Sequence, residues 1–493
     1  MSEQAPRGRA APRLTPGKPE IVLVLACTAW FMVILDVSIV NVALPSIKVA
    51  LHFSPTQLQW VVNAYTLTFA GLLLLGGRMG DLLGRRRMLL VGMGLFTAAS
   101  LLGGFAGSRG LLIAARGLQG IGGGVIAPAS LSILSTTFAE GPARNRALGI
   151  WGAIGGVGGS AGAILGGLLT EGLDWRWILF VNVPIGLATM IFSARLIPES
   201  RADVPVGRRH YDLAGALSVT LGLTSIVFAI VRTDVNGWGS AQTLLVLAAG
   251  VALVAAFVVI EARFSKQPLV PLRIFASRTL TGANVTMMFI AAALFSMWYF
   301  LTLYMQEVLG FSPIQAGLAF LPLTGCIVLG STLASRLVAR VGVRPLLISG
   351  ASFAFAGMLL FSRIRAHGSF LVDVLPPSLL TATGMALSFV PTTIAAVSGV
   401  PPGEAGLASG LLNTARQMGG SLGLAILVTL AAARSTTLLH SHHATADALT
   451  AGYQRAFLVS AGFALCSAVA AFLLVKPRPR AAPAEAAVAL EAA

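Results

Sequence analysis

Charged residues are scarce in this sequence. Only 11% of its 493 residues are Asp, Glu, Lys or Arg, whereas about 25% are charged in a typical soluble domain. Hydrophobic residues make up 56% of the chain, and the few charges lie in short clusters between long apolar runs. This composition excludes a string of soluble domains and predicts a protein surrounded largely by lipid.

Cysteine and recognisable ligand motifs are also scarce. The three cysteines, Cys27, Cys326 and Cys466, lie in apolar segments, where we expect hydrophobic side chains rather than disulfides or metal ligands. The sequence contains no Gly-x-x-x-x-Gly-Lys-Ser/Thr motif for binding ATP phosphates. We therefore predict no metal, no cofactor and no enzyme activity, and expect any transport to be driven by a gradient.

The formal net charge of +16 would suggest a nucleic-acid partner if the protein were soluble. However, no basic stretch alternates with aromatic residues as in a surface on which bases stack. Lys and Arg instead fall mainly in short segments between the apolar runs, as in the cytoplasmic loops of membrane proteins. The expected partner is the lipid bilayer, and we predict no nucleic-acid binding.

Apolar runs long enough to cross a bilayer recur along the whole chain. A helix needs about 20 mostly apolar residues to do so, and fourteen segments meet this requirement. They are 21–44, 57–76, 88–106, 110–137, 147–170, 177–197, 212–231, 242–260, 282–305, 314–333, 345–362, 371–395, 405–432 and 455–475. The sequence therefore predicts an all-α integral membrane protein with fourteen transmembrane helices.

The positions of Lys and Arg predict the orientation of these helices. If fourteen helices cross the membrane one after another, every second connecting segment lies on the same side of the membrane as the N-terminus. Lys and Arg are concentrated in these segments. Such residues favour the cytoplasmic side, so we expect a multi-pass protein of the cytoplasmic membrane with both termini inside. The predicted organisation is a tail over 1–20, a six-helix bundle over 21–197, two linking helices over 212–260, a second six-helix bundle over 282–475 and a tail over 476–493.

Two charged segments match each other at one constant spacing. The matched pairs are Arg78 and Arg336, Gly84 and Gly342, Arg86 and Arg344, and Leu89 and Leu347. Such an internal repeat is expected when a transporter contains two bundles of the same fold. The spacing leaves room for two extra helices between these bundles.

Four motifs resemble those of one family of transporters. They are Gly76-Gly77-Arg78-Met79-Gly80-Asp81-Leu82-Leu83-Gly84-Arg85-Arg86-Arg87, Leu35-Asp36-Val37-Ser38-Ile39-Val40-Asn41-Val42-Ala43-Leu44-Pro45, Trp175-Arg176-Trp177 followed by Asn182-Val183-Pro184-Ile185-Gly186, and Gly406-Leu407-Ala408-Ser409-Gly410 followed by Asn413-Thr414-Ala415-Arg416-Gln417. In combination they resemble the fourteen-helix drug:proton antiporter branch of the major facilitator superfamily. The resemblance implies a proton-coupled antiporter that exports drugs and confers resistance to them.

One motif departs from this family. The antiporter motif of helix 5 reads Gly-Pro-x-x-Gly-Gly, whereas this chain has Gly162-Ala163-Ile164-Leu165-Gly166-Gly167 and lacks the proline. The departure leaves the direction of transport open. The same helix carries Gly155, Gly159, Gly162 and Gly166 along one stripe, which predicts a close approach of a neighbouring helix.

Two charged residues lie at membrane depth. Asp36 is well inside the first apolar run and Arg116 inside the fourth. Charges at this depth face a cavity or a partner and mark ion pathways, and burial away from water favours the neutral form of a carboxyl group. We predict that Asp36 carries protons, and the resemblance implies that Arg116 takes part. A purely structural role for either residue remains open.

The charged segment after the second predicted helix contains Gly77, Arg78, Gly80, Asp81, Gly84, Arg85 and Arg86. Glycines permit a turn that other residues resist, so we expect a tight cytoplasmic loop. A cluster of arginines is ordinary on the cytoplasmic side, but it does not explain an Asp among glycines. The resemblance implies a latch, in which Asp81 meets a helix N-terminus or an arginine and stabilises one conformation.

Polar residues on three predicted helices are candidates for a substrate cavity. They are Asn41, Gln119, Asn413, Arg416 and Gln417, with Asn63 as a further candidate. Polar groups at this depth bond either a substrate or a neighbouring helix, and the sequence does not choose between the two.

Three functions fit these features. The first is proton-coupled efflux of drugs or antibiotics, with a hydrophobic or amphipathic small molecule as substrate. The second is transport of one specific metabolite. The third is a membrane sensor or enzyme that does not transport, although no nucleophile–base set or metal-ligand motif supports it.

Overall fold

The computed structural model describes residues 18–139, 142–200, 212–265, 268–398, 400 and 405–476, which form seventeen α-helices and no β-strand. In chain order these are α1 Pro19–Ala50, α2 Pro55–Leu58, α3 Trp60–Leu83, α4 Arg85–Gly104, α5 Arg109–Thr137, α6 Pro142–Gly172, α7 Trp177–Phe180, α8 Asn182–Leu196, α9 Leu213–Asn236, α10 Ala241–Val259, α11 Arg278–Leu303, α12 Pro313–Ala319, α13 Leu321–Val341, α14 Val343–Phe361, α15 Leu375–Ser398, α16 Ala405–His440 and α17 Thr445–Leu474. The all-helical prediction is confirmed for the described residues.

Most of these helices are long and apolar. Among the described residues, thirteen helical segments are long and apolar enough to cross a membrane. The remaining long helix, α6, has 31 residues and is rich in glycine. Gln59, Val181 and Phe320 each separate a short helix from the longer helix that follows. The chain is therefore a multi-pass membrane protein, as predicted.

Serine residues begin several of these helices. The Ser54 and Ser312 side chains each accept a hydrogen bond from the backbone N–H of Gln57 or Gln315, and each glutamine side chain bonds back to the serine N–H. Each of these reciprocal capping boxes satisfies two of the N–H groups that a helix start leaves without partners. A proline follows each serine, where its missing N–H costs nothing.

The internal repeat extends to local structure. Gly84 and Gly342 both adopt positive φ, +114° and +88°, at single-residue breaks between two helices. Two residues later, Arg86 donates to the carbonyl groups of Ala194 and Ile197 near the end of α8, and Arg344 donates to the carbonyl of Phe472 near the end of α17. The serines of the two capping boxes, Ser54 and Ser312, are separated by the same number of residues as Gly84 and Gly342. This correspondence is the expected result of two bundles with a common fold.

Several predicted boundaries differ from the structure. The segment predicted as a glycine-rich loop is helical through Leu83, and Gly77 and Gly80 belong to this helix. In this segment, only Gly84 has a positive φ, the backbone conformation that favours glycine. The last helix begins at Thr445 rather than at 455, and α16 continues to His440. Both helices are therefore longer than their apolar cores, because polar residues can extend a helix beyond the hydrocarbon layer.

Candidate functional site

Asp36 and Arg116 form a buried ion pair between α1 and α5. Arg116 Nη1 lies 2.5 Å from Asp36 Oδ2, and the two side chains are 2% and 0% exposed. The sequence predicted both as intramembrane charges, and the structure brings them together. Opposite charges in such surroundings avoid the large cost of burying either one alone.

Neighbouring amides complete the hydrogen bonds of this pair. Asp36 Oδ1 accepts from Gln119 Nε2 at 2.9 Å and from Asn182 Nδ2 at 3.0 Å. Gln119 Oε1 accepts from Arg116 Nη1 at 2.8 Å, and Gln119 Nε2 also reaches Ser100 Oγ at 2.8 Å. The carboxylate therefore connects residues of α1, α5 and α8, and Gln119 extends the network to Ser100 on α4. We call these residues the Asp36 cluster: Asp36, Ser100, Arg116, Gln119 and Asn182.

The remaining contacts of Arg116 lie on α3. Its Nε donates to the Val61 carbonyl at 2.9 Å, and its guanidinium lies 4.5 Å from the centre of the Tyr65 ring. These contacts offset part of the cost of burying the cation. A proton placed on Asp36 would cancel the negative charge that faces Arg116, so protonation changes the electrostatics that hold these helices together.

A cavity of about 210 Å³ lies beside this cluster. Residues from α1, α3, α6, α11, α15 and α16 line it, so both the N-terminal and the C-terminal helices contribute. The aromatic lining residues are Trp30, Tyr65, Phe69, Phe295, Trp298, Tyr299 and Phe389. Largely apolar walls with a few polar groups are typical of sites for small organic molecules.

Tyr65 contacts both the Asp36 cluster and the cavity. The Arg116 guanidinium lies over the Tyr65 ring, and Tyr65 also lines the cavity. Its hydroxyl points to the Val33 carbonyl on α1 at 3.5 Å. A change at the ion pair can therefore reach the cavity wall through one side chain.

Three of the predicted cavity residues line this cavity. They are Asn41, Arg416 and Gln417, and the further candidate Asn63 joins them. Gln119 and Asn413 do not line it. Gln119 is fully buried within the Asp36 cluster, and Asn413 Nδ2 donates to the Ser409 carbonyl one turn earlier on α16.

The predicted glycine stripe of α6 divides between two environments. A methyl group added at Gly162 would overlap the Ser38 hydroxyl on α1, and one added at Gly166 would lie 2.8 Å from the Ile39 carbonyl. These two glycines permit the close approach of α1 that the stripe predicted. Gly159 instead lines the cavity and has open space around it, while the surroundings of Gly155 lie outside what the structure describes.

The start of α4 is capped by Glu199, a residue that no sequence motif indicated. Its two carboxylate oxygens accept hydrogen bonds from the backbone N–H groups of Arg86 and Arg87, both at 3.1 Å, and Arg86 Nε lies 3.8 Å away. Carboxylates are stabilising at helix N-termini. The predicted partner for such a helix start was Asp81, whose side chain lies outside what the structure describes.

A second ion pair joins the N-terminal and C-terminal helices. It lies on the side of the protein opposite the start of α1 and the end of α17. Lys48 Nζ on α1 lies 2.6 Å from Glu307 Oε1, just after α11, and the hydroxyl of Tyr453 donates to Glu307 Oε2 at 3.0 Å. Nearby, Glu171 accepts a hydrogen bond from the Ile314 backbone N–H, and a hydrogen bond with Ser312 holds the pKa of Glu171 below its usual value. None of these partners was predicted. The helices are thus tied together at this end of the protein.

A paired charge cluster next to a cavity between membrane-spanning helices is typical of membrane transport proteins. The sequence profile described as Major Facilitator Superfamily matches residues 26–424. The chain belongs to this family, as its motifs predicted.

Two curated relatives cover most of the chain. The cephamycin export protein CmcT of Amycolatopsis lactamdurans is 46% identical over 83% of this chain and 84% of its own length. The puromycin resistance protein pur8 of Streptomyces alboniger is 40% identical over 93% of this chain and 92% of its own length. Among solved structures, a bacterial homologue of the human lysosomal transporter Spinster, in an inward-facing and unoccupied conformation, matches with a TM-score of 0.64. That match has 16% identity and covers 94% of this chain and 99% of the other, so it shows the shared fold.

Proposed function

We propose that this protein is a proton-coupled transporter that exports drugs or antibiotics across the cell membrane. The Asp36 cluster carries this proposal, because a buried titratable group adjoins a cavity large enough for an organic molecule. The names of the two relatives, one an export protein and one a resistance protein, support efflux as the process.

The proposed architecture has fourteen transmembrane helices with both termini in the cytoplasm. Two six-helix bundles, 21–197 and 282–475, have α9 and α10 between them, with tails over 1–20 and 476–493. The matched conformations at Gly84 and Gly342 support a repeated bundle. The distribution of Lys and Arg supports the orientation.

In the proposed cycle, protonation of Asp36 changes which conformation is favoured. While Asp36 is ionised, it pairs with Arg116 and holds α1, α5 and α8 together. A proton removes this attraction and leaves the Arg116 charge without its partner, which favours a rearrangement of these helices. The ion pair of Lys48 and Glu307 ties the N-terminal and C-terminal helices together at one end in the present conformation. At the other end, the proposed latch is the charged segment of Gly77, Arg78, Gly80, Asp81, Gly84, Arg85 and Arg86.

The test is transport by the full-length Asp36→Asn variant. Everted vesicles from an efflux-deficient bacterial host would be assayed with a panel of fluorescent drugs, with and without a protonophore. Wild-type uptake should stop on addition of the protonophore, and Asp36→Asn should reduce uptake at least tenfold at equal expression. The matched control is Asp447→Asn, which removes an exposed carboxylate from the first turn of α17 and should transport normally.

Two results would contradict this function. Uphill uptake that survives collapse of both the pH gradient and the membrane voltage would exclude proton coupling. Counterflow with only one metabolite, and with no drug of the panel, would favour a specific metabolite transporter.

A further inference from the structure

Arg416 is a cation on the cavity wall that has no protein partner among the described residues. It lies on α16 and lines the cavity. Its Nε is buried without a hydrogen-bond acceptor, and neither an ion pair nor a stacked aromatic ring involves its guanidinium in the described part of the chain. The guanidinium stays charged at any physiological pH.

Arg116 provides the internal comparison. It is also an arginine inside an apolar run, and it has a carboxylate, a carbonyl, an amide oxygen and an aromatic ring as partners. Arg416 has none of these, although it is partly buried. Placing an unpaired charge in such surroundings is costly, and the cost is recovered when a partner with the opposite charge arrives.

Other polar groups of the cavity are unsatisfied as well. The indole N–H of Trp30, a side chain only 7% exposed, has no acceptor, and the Asn63 side-chain oxygen has no donor. The residues that line the cavity include no Asp, Glu or Lys. The lining therefore offers one positive charge and an N–H donor, without an acid to balance a cationic ligand.

The walls indicate the rest of the ligand. Aromatic residues of four helices line the cavity. Among them, Trp30 stacks on Trp151 and Trp298 stacks on Phe320. Such walls bury an apolar or aromatic body favourably. An inorganic anion would pair with Arg416 but would leave these walls unused.

We propose that this cavity binds amphipathic organic anions, with a carboxylate or similar group on Arg416 and an aromatic or apolar body against the tryptophans. The proposal rests on the proposed function, in that the anion is the exported cargo. Arg416 then distinguishes acidic cargo from neutral or basic cargo of the same shape, since a carboxylate pairs with a guanidinium through two parallel hydrogen bonds.

Binding is tested with three probes that share one fluorophore. Dansylglycine has a carboxylate, its methyl ester is neutral, and dansylethylenediamine has an amine. The full-length protein is placed in phosphatidylcholine nanodiscs without any gradient, and energy transfer from tryptophan to the dansyl group reports binding. The wild type should bind the carboxylate about 10- to 100-fold more tightly than the ester, the range expected for a lost charged hydrogen bond.

Three variants make this result specific. Arg416→Gln should remove the preference for the carboxylate while ester affinity stays within about twofold, and ester binding shows that the variant is folded. Arg416→Lys should keep part of the preference, because it keeps the charge but not the two-pronged geometry. Arg434→Gln, an exposed position about five turns further along the same helix, removes an equal charge and should bind like the wild type.

Several outcomes would overturn the proposal. These are equal binding of carboxylate and ester by the wild type, tighter binding of the amine, no binding of the carboxylate, or an equal loss of both acid and ester in Arg416→Gln. The assay needs neither flux nor a proton gradient. The binding assay therefore still gives a result if the Asp36→Asn experiment excludes proton coupling. The efflux assay likewise still gives a result if no anion binds.

Discussion

Removing both members of the Asp36–Arg116 pair should destabilise the protein by less than the sum of the two single removals. In Asp36→Asn, the buried guanidinium loses its counter-charge, and an amide replaces the carboxylate that accepts its hydrogen bond. Breaking a buried pair in this way typically costs about 3–5 kcal/mol. We expect a loss of this size in Asp36→Asn, and a similar loss in Arg116→Gln because the carboxylate is then the unpaired charge.

The double variant Asp36→Asn/Arg116→Gln contains no buried charge at this site. Its side chains can still bond to the neighbouring amides of Gln119 and Asn182. We therefore expect it to be more stable than the sum of the single losses predicts, by about 2–3 kcal/mol, within the range seen for residues in one network. The double variant should nevertheless fail to couple transport to protons, since the Asp36 cluster then contains no titratable carboxyl group.

The assay is equilibrium unfolding of the purified protein in mixed micelles, followed by tryptophan fluorescence. The control is the same cycle at Asp174 and Arg176, an ion pair with a distance of 3.2 Å and side-chain exposures of 46% and 36%. An exposed pair contributes about 0.2–1 kcal/mol, so its coupling should be at least twofold smaller. Additive losses at Asp36 and Arg116 would refute the assignment of this ion pair as a coupled buried unit.

Two further predictions follow from other parts of the structure. Glu307→Gln should weaken the contact with Lys48 that ties the N-terminal and C-terminal helices together, and should shift the conformational equilibrium towards opening at that end by about 5- to 30-fold, which corresponds to 1–2 kcal/mol. A cysteine placed in the cavity should then label faster from that side, and unchanged labelling would contradict a gate. Gly84→Ala should destabilise the protein more than Gly342→Ala. Both variants force alanine into a positive φ at a cost of about 1–2 kcal/mol, but only at Gly84 would the new methyl group lie 2.6 Å from a carboxylate oxygen of Glu199. Equal losses of stability in unfolding experiments would contradict this difference.

The sequence was sufficient for the features that depend on local pattern. Apolar runs predicted the helices, and the depth of Asp36 and Arg116 within two runs predicted that each needs a partner. Gln119 was assigned to the cavity as a polar residue at membrane depth. It lies in the ionic cluster instead, because its position three residues after Arg116 places both side chains on one face of α5. Periodicity identifies a face of a helix but not the helix that the face meets.

Partners supplied by distant segments could not be predicted. Glu199 caps a helix more than a hundred positions earlier in the chain, and Lys48 pairs with Glu307 across the two sets of helices. Asn182 belongs to a motif that was recognised, yet nothing in the motif shows that its amide reaches Asp36. These contacts depend on the packing of whole helices, which a single sequence does not reveal.

The charges of Asp36 and Arg416 together determine the electrical consequence of the proposed exchange. If one proton enters on Asp36 while a singly charged anion leaves from Arg416, two positive charges move inward in each cycle. An inside-negative voltage of 100 mV then supplies about 4.6 kcal/mol, twice the value for a neutral cargo, which corresponds to accumulation on the order of 10³-fold. Dansylglycine should therefore generate about twice the current per transported molecule that its methyl ester generates in proteoliposomes on a solid support. Equal currents for the two probes would show that the cargo charge does not cross with the cargo, and the pairing proposed for Arg416 would have to be abandoned.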